Sequence, residues 1–181
     1  MKKFLYILST FTLLATSVIT MPAAHATDKG YRYWGYFQSA PNKSEWAYAM
    51  TGPTTNVADG SVEGWAFTFS SDSVPDAAKP RVTPSFRYLC GKTKAVAGKK
   101  RIALVIDFGS AFLRPTDEKT PKIIKTCVLV DSKALGADVL AAGAKIRATA
   151  SGMICGINAY PAKECGVEIE TPKALIPKKK Q

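Results

Sequence analysis

Beyond residue 26 the chain contains no histidine; the single one is His25. That absence excludes Ser-His-Asp and Cys-His catalysis, a histidine general base and His-ligated zinc. None of the four cysteines stands in a CxxC spacing, so a thiolate metal site lacks its usual signature as well. No glycine cluster follows a strand at the spacing of a phosphate-binding loop. Acidic residues are scarce, with 14 Asp and Glu against 25 Lys and Arg and a formal charge of +11. Long apolar runs are also rare. Phe4–Ile19 is the one extended uncharged stretch, and it is short for a bilayer span. We therefore expect no metal, no cofactor and no catalytic residue.

What is present begins with a leader. Met1-Lys2-Lys3 is a short positive n-region, Phe4–Ile19 an apolar segment, and Ala24-His25-Ala26 a small-x-small cleavage site. Cleavage between Ala26 and Thr27 gives an exported or secreted chain. Residues 27–181 suit one ordinary domain, soluble or surface-associated. Two of the positive charges, Lys2 and Lys3, leave with the leader.

An exported chain with an even cysteine count reads as disulfide-bonded. Cys90, Cys127, Cys155 and Cys165 allow three pairings. Cys90–Cys127 with Cys155–Cys165 is the expected one, because the second bridge would close the turn at Tyr160-Pro161.

The dominant feature is aromatic. Tyr31–Phe69 holds all three tryptophans, Trp34, Trp46 and Trp65, with four tyrosines and three phenylalanines. Tyr31–Gln38 alternates as a strand with Tyr31, Tyr33, Gly35 and Phe37 on one face and Arg32, Trp34, Tyr36 and Gln38 on the other. Glu45–Thr51 reads as a second strand, forming a hairpin around Pro41 and Asn42. It places Trp46, Tyr48 and Met50 on one side. Asp59-Gly60 signals a turn into a third strand, Ser61–Ser70. There Trp65, Phe67 and Phe69 share a face. The small residues Gly64 and Ala66 on the other leave room for a hairpin aromatic or for a ligand.

A connector with Pro75 and Pro80 leads to a short helix over Pro84–Cys90, with Thr83 as cap and Gly91 as stop. Arg101–Asp107 is a continuous apolar run, the mark of a strand buried on both sides. Ser110–Pro121 reads as an exposed loop, and Ile123–Val130 as another strand. Asp131-Ser132 could cap a helix over Ala134–Ala142. Lys145–Ala150 and Gly152–Tyr160 complete the core segments. Thr171–Gln181 is a Pro/Lys tail with too few apolar residues to pack. The organisation expected is a leader (1–26), an aromatic β segment (27–82), an α+β segment sharing its core (83–170) and a disordered basic tail (171–181).

Three functions compete. Indole and phenol rings stack on flat molecules, and Arg or Glu orient polar groups, so Arg32, Trp34, Tyr36, Glu63 and Trp65 are the candidate ligand-binding residues. Lys92, Lys94, Lys99, Lys100 and Arg101 form a basic loop that, with Lys178–Lys180, would suit a cell-wall polymer or a partner protein. Nucleic acid is not an expected partner outside the membrane. Asp59, Glu63 and Asp107 are the carboxylates left for a hydrolase. Asp59 reads more simply as shaping a turn, and Asp107 as closing a strand.

The segments YRYWGYFQ, Trp46–Pro53, DGSVEGWAF, KKRIALVIDFG and GMICGINAYPAKEC together resemble an uncharacterised family of exported actinobacterial proteins. That family looks associated with energy-coupling-factor type vitamin or metal transporters. Lys99–Cys165 weakly resembles the small β-grasp domain at the end of corrinoid carriers such as transcobalamin. These resemblances imply an α+β fold, an aromatic antiparallel sheet packed with a β-grasp-like half. They also imply a non-catalytic role: presenting a vitamin-like or tetrapyrrole-type ligand to a membrane transporter.

Overall fold

A computed structural model describes residues 28–176. The leader and the lysines at 178–180 lie outside the described residues. The fold is α+β. Its eight strands are β1 (Lys29–Ser39), β2 (Ala47–Tyr48), β3 (Val62–Ser71), β4 (Lys99–Asp107), β5 (Ile124–Asp131), β6 (Ile146–Ala148), β7 (Ile154–Ile157) and β8 (Val167–Glu170). Two helices, α1 (Phe86–Cys90) and α2 (Gly136–Gly143), accompany them. One sheet runs β2-β1-β3-β4-β5, and β8 also pairs with β1; β6 and β7 form a separate ribbon.

Two strand pairs join the sequence halves, β1–β8 and the β3–β4 pair at the centre of the sheet. The β3–β4 pair is the distinctive one. It is parallel, from Val62 opposite Ala103 to Ala66 opposite Asp107, whereas every other pairing is antiparallel. The sheet is therefore mixed and continuous. A parallel pair needs a crossover, and the chain between Ser71 and Lys99 supplies it, with α1 along its path.

β3 is the central strand, and every residue from Val62 to Phe69 is buried. The expected face alternation is seen. Trp34 and Tyr36 join Trp65, Phe67, Phe69, Ile102, Leu104 and Ile106 in the larger core, which α2 closes with Val139 and Leu140. Phe37, Val62, Ala66, Ala103 and Val105 form a smaller core on the opposite face. β4 is buried on both faces, as its unbroken apolar run implies. The cystines are Cys90–Cys127, which ties α1 to β5, and Cys155–Cys165, with Cα–Cα distances of 5.1 and 4.3 Å.

Several boundaries differ from the sequence expectation. Only Ala47 and Tyr48 of the second strand pair with β1. Trp46 instead turns inward over Gly64, where a methyl group would lie 2.6 Å from the indole, and its Nε1 donates to the Val82 carbonyl at 2.7 Å. The space cleared by Gly64 is thus filled by the hairpin's own tryptophan. Ser85, not Thr83, caps α1, accepting from the Tyr88 amide. α2 begins two residues late, at Gly136: Leu135 is extended and bridges Asn56, while the Lys100 ammonium takes the Ala134 carbonyl at 2.6 Å. Asp138 then caps it, accepting from the Leu135 amide at 2.8 Å. The 110–121 loop is not wholly exposed, since Leu113 and Pro115 are buried. The tail packs at its start: Thr171 is buried and donates through Oγ1 to Asp28 at 2.7 Å.

Candidate functional site

Strand alternation and register bring three of the five candidate residues together. Tyr36 lies opposite Trp65, and Trp34 opposite Phe67. The Tyr36 and Trp65 rings stack with centroids 4.7 Å apart, while Trp34 packs edge-on against Phe108 at 5.5 Å. Trp34, Tyr36 and Trp65 are buried, yet all three line the floor of one open groove of about 440 Å³. That is within the range of small-molecule sites, about 300–1,000 Å³.

The groove walls come from elsewhere in the chain. Tyr48 ends β2, Met50 and Pro53 follow it, Tyr31 and Tyr33 belong to β1, and Met153 and Ile154 arrive from the β6–β7 ribbon. Its rim is apolar and exposed: Tyr31 is 53% accessible, Met50 85% and Met153 50%. Methionine and tyrosine suit such a surface, the one adaptable and the other presenting a rigid amphipathic ring. Among the described residues no charged side chain lines the groove.

Arg32 and Glu63 are not brought to it. The Arg32 guanidinium is held by Glu164 in a two-pronged ion pair and also donates to the Leu113 and Arg114 carbonyls, both at 3.3 Å. Glu63 is fully buried beside the floor. The Tyr36 hydroxyl donates to its Oε2, and Gln38 Nε2 donates to its Oε1 at 3.3 Å. Burial pushes the Glu63 carboxyl up to about 7, against the opposing effect of hydrogen bonds from Tyr36 and Gln38 and the charge of Lys100. The Tyr36 hydroxyl is raised by burial and by the adjoining carboxylate. Tyr36 therefore offers the groove a ring face, its hydroxyl being already engaged.

The other two candidate carboxylates, Asp107 and Asp59, are also engaged. Asp107 accepts from the Arg81 guanidinium at 2.6 Å, the Arg81 amide at 2.8 Å and the Gly109 amide at 3.0 Å. Burial pushes Asp107 up, but these hydrogen bonds outweigh it and leave the carboxyl below its ordinary range. Asp59 is lowered by hydrogen bonds from the side chain and backbone of Arg101. Both act in turns and strand ends. The basic loop loses two members: Arg101 to Asp59, and Lys100 to the interior, where its ammonium donates to Asn56 Oδ1 and the Val57 and Ala134 carbonyls. Among the described residues no group of three or more His, Cys, Asp and Glu is placed to hold a metal ion.

Sequence reasoning did not place Met50, Met153 or Ile154 at the site. The two methionines carry only a weak signal, as large apolar residues in polar loops. The two disulfides point to an extracytoplasmic environment. No helix among the described residues is long and apolar enough to cross a membrane. No curated protein and no solved structure matches the chain. A family profile does match, over residues 26–170, a range holding the sheet, both helices and every residue of the groove: the chain belongs to the SCO2322-like domain family.

Proposed function

We propose that the protein is an extracytoplasmic, non-catalytic binding protein that holds a flat, apolar small molecule in the aromatic groove. The observation that carries this reading is the groove itself. Stacked rings form its floor, and exposed tyrosine and methionine side chains form its rim. A monomeric surface seldom exposes so many large apolar groups together without a use for them. The three candidate carboxylates do not favour a hydrolase, since Asp59 and Asp107 are bound by arginines and Glu63 is buried against Tyr36. A polyanion-binding role loses support with the burial of Lys100 and the pairing of Arg101.

Delivery of the bound molecule to a membrane transporter is the cellular role that the family resemblance implies, and it is part of this proposal. Vitamin-like molecules are candidate cargo, and corrinoids and porphyrins belong in the first test panel. Trp34 and Trp65 make intrinsic fluorescence the direct assay. A saturable change on titration with a flat apolar compound is expected, together with its loss in Met50→Glu. A flat response across the panel refutes the reading.

A further inference from the structure

One long edge of the sheet carries no partner. β5 ends the sheet beyond β4, and among the described residues no strand pairs with its outer side. An edge strand presents a row of free amides and carbonyls, which proteins commonly blunt with proline, a bulge or shortness. β5 has eight residues, no proline and an unbroken register against β4.

The direction of its backbone follows from the neighbouring bonds. On β4 the Arg101 carbonyl accepts from the Gly60 amide, and the Ala103 amide donates to the Ser61 carbonyl, so both residues face β3. Lys100 and Ile102 then face β5, and with them Val130 and Val128, their partners in the register. The Ser132 amide, donating to the Gly98 carbonyl at 3.0 Å, continues that inward set. The N–H and C=O of Lys125, Cys127 and Leu129, and the N–H of Asp131, therefore point outward. Only the Asp131 carbonyl of this row is already used, by the Ala134 amide at 3.0 Å. The two helices occupy the faces of the sheet: Cys90 of α1 is bonded to Cys127 on one, and Val139 and Leu140 of α2 pack with Val128 and Val130 on the other.

The side chains indicate what fits this edge. Lys125, Cys127, Leu129 and Asp131 share one face, with Leu129 exposed and Lys125 beside the exposed Tyr88 ring. The opposite charges at the two ends are what an antiparallel copy of the same strand needs. A two-fold axis through Val128 sets Lys125 opposite Asp131 of the second copy and Cys127 opposite Leu129. All four are outward-facing, so these are hydrogen-bonded pairs. Moving the axis to Cys127 sets Lys125 against Leu129, and moving it to Leu129 sets Lys125 against Lys133. The Val128 register joins opposite charges; the other two do not. A lysine on an edge often guards against pairing, but here that register supplies each lysine with a carboxylate. The existing contact of Asp131, with Lys99, is at 4.0 Å and half exposed, which leaves the carboxylate free to take a second lysine.

We propose that β5 is a self-pairing edge: two copies of this chain join antiparallel about Val128 into one continuous sheet, with Lys125–Asp131 pairs fixing the register. Cys127 and Leu129 exchange both of their backbone bonds, and the Asp131 amide donates to the Lys125 carbonyl. Leu129 passes from solvent into the interface. β1 lies three strands away from β5, so both aromatic grooves stay open and the pairing stands independently of what they bind.

Sedimentation velocity of the purified protein, over a rising concentration series, tests this. Reversible dimerisation is expected. Amide hydrogen exchange at Cys127 and Leu129 should be fast in dilute protein and slow in concentrated protein, while Val128 and Val130, bonded to β4, stay slow throughout. Lys125→Asp and Asp131→Lys each set like charges opposite one another twice per dimer, and each should weaken association about tenfold or more. Both side chains are exposed, so neither exchange threatens the fold. Equimolar mixing of the two variants should restore dimers, because every opposed pair in the mixed dimer again has opposite charges. A protein that stays monomeric at every concentration overturns the proposal. Association that both variants leave unchanged overturns it too, by placing the contact on another surface. Variants that are each monomeric and fail to pair when mixed overturn the Val128 register.

Discussion

Replacing Glu63 by Gln should change how stability depends on pH. Glu63 is fully buried, and its carboxyl titrates near 7 in the folded protein against an ordinary value of 4.5. Between those values the unfolded chain has released the proton while the folded chain still holds it. Stability contributed by this group is therefore fully present below pH 4.5 and declines as pH rises towards 7. At 1.36 kcal/mol per unit of pKa, the loss is about 3 kcal/mol when complete. Glutamine keeps the shape and hydrogen-bonding capacity of the neutral acid, and the Gln38 amide can turn to match it. Urea unfolding at intervals from pH 5 to 8 measures the effect. The wild-type midpoint should fall across this range relative to Glu63→Gln, and the difference between the two curves should level off above about pH 8. Parallel curves would refute the claim that Glu63 enters the core as a neutral acid. An opposite slope would mean that Lys100, whose own ammonium is pushed down by burial and held up by Glu63, pairs with a charged carboxylate instead.

Trp46→Ala should cost about 3–5 kcal/mol, as a large buried ring is lost from above Gly64, and thermal unfolding would register it. Removing Cys90–Cys127 by a double Cys→Ala exchange should cost about 4 kcal/mol from its 37-residue separation, and removing Cys155–Cys165 about 3, compared by denaturant titration. Glu164→Gln should destabilise by up to about 3–5 kcal/mol, because the Arg32 guanidinium remains largely buried without its carboxylate. Ligand affinity in Glu164→Gln should stay unchanged, as Arg32 does not line the groove. Met50→Ser, on a side chain 85% accessible, should leave stability within about 0.5 kcal/mol and weaken ligand binding severalfold.

The sequence was most legible where one physical pattern dominated. The period of two through Tyr31–Gln38 and Val62–Phe69 predicted which aromatics share a face, and the register puts Tyr36 against Trp65 as those faces require. The unbroken RIALVID run announced a strand covered on both sides. The choice between a ligand and a neighbour over Gly64 was not local, because it depends on where Trp46 turns three-dimensionally to meet the Val82 carbonyl. The basic loop misled for a related reason. Lys100 is adjacent to surface lysines in sequence, but strand alternation sends it inward, and three oxygens there satisfy its ammonium. The site was half legible. Its floor follows from alternation within β1 and β3, but its methionine rim comes from loops about a hundred residues apart, which no local pattern connects. β8 had a readable alternation in VEIE, yet four residues beside a basic tail give little weight to it.

The arrangement on the outer edge of β1 has a consequence for the order of assembly. One part of that edge is closed by β2, a few residues downstream; the other is closed by β8, with Lys29 opposite Glu170. The first strand to be made is thus among the last to be finished. Until Val167–Glu170 arrives, Lys29–Arg32 presents an unpaired edge next to exposed aromatics, the combination that invites pairing with another chain. Contacts so distant in sequence also form slowly. A chain cut just before Val167 would keep both disulfides and almost all of its core, and would be expected to fail by self-association rather than by unfolding.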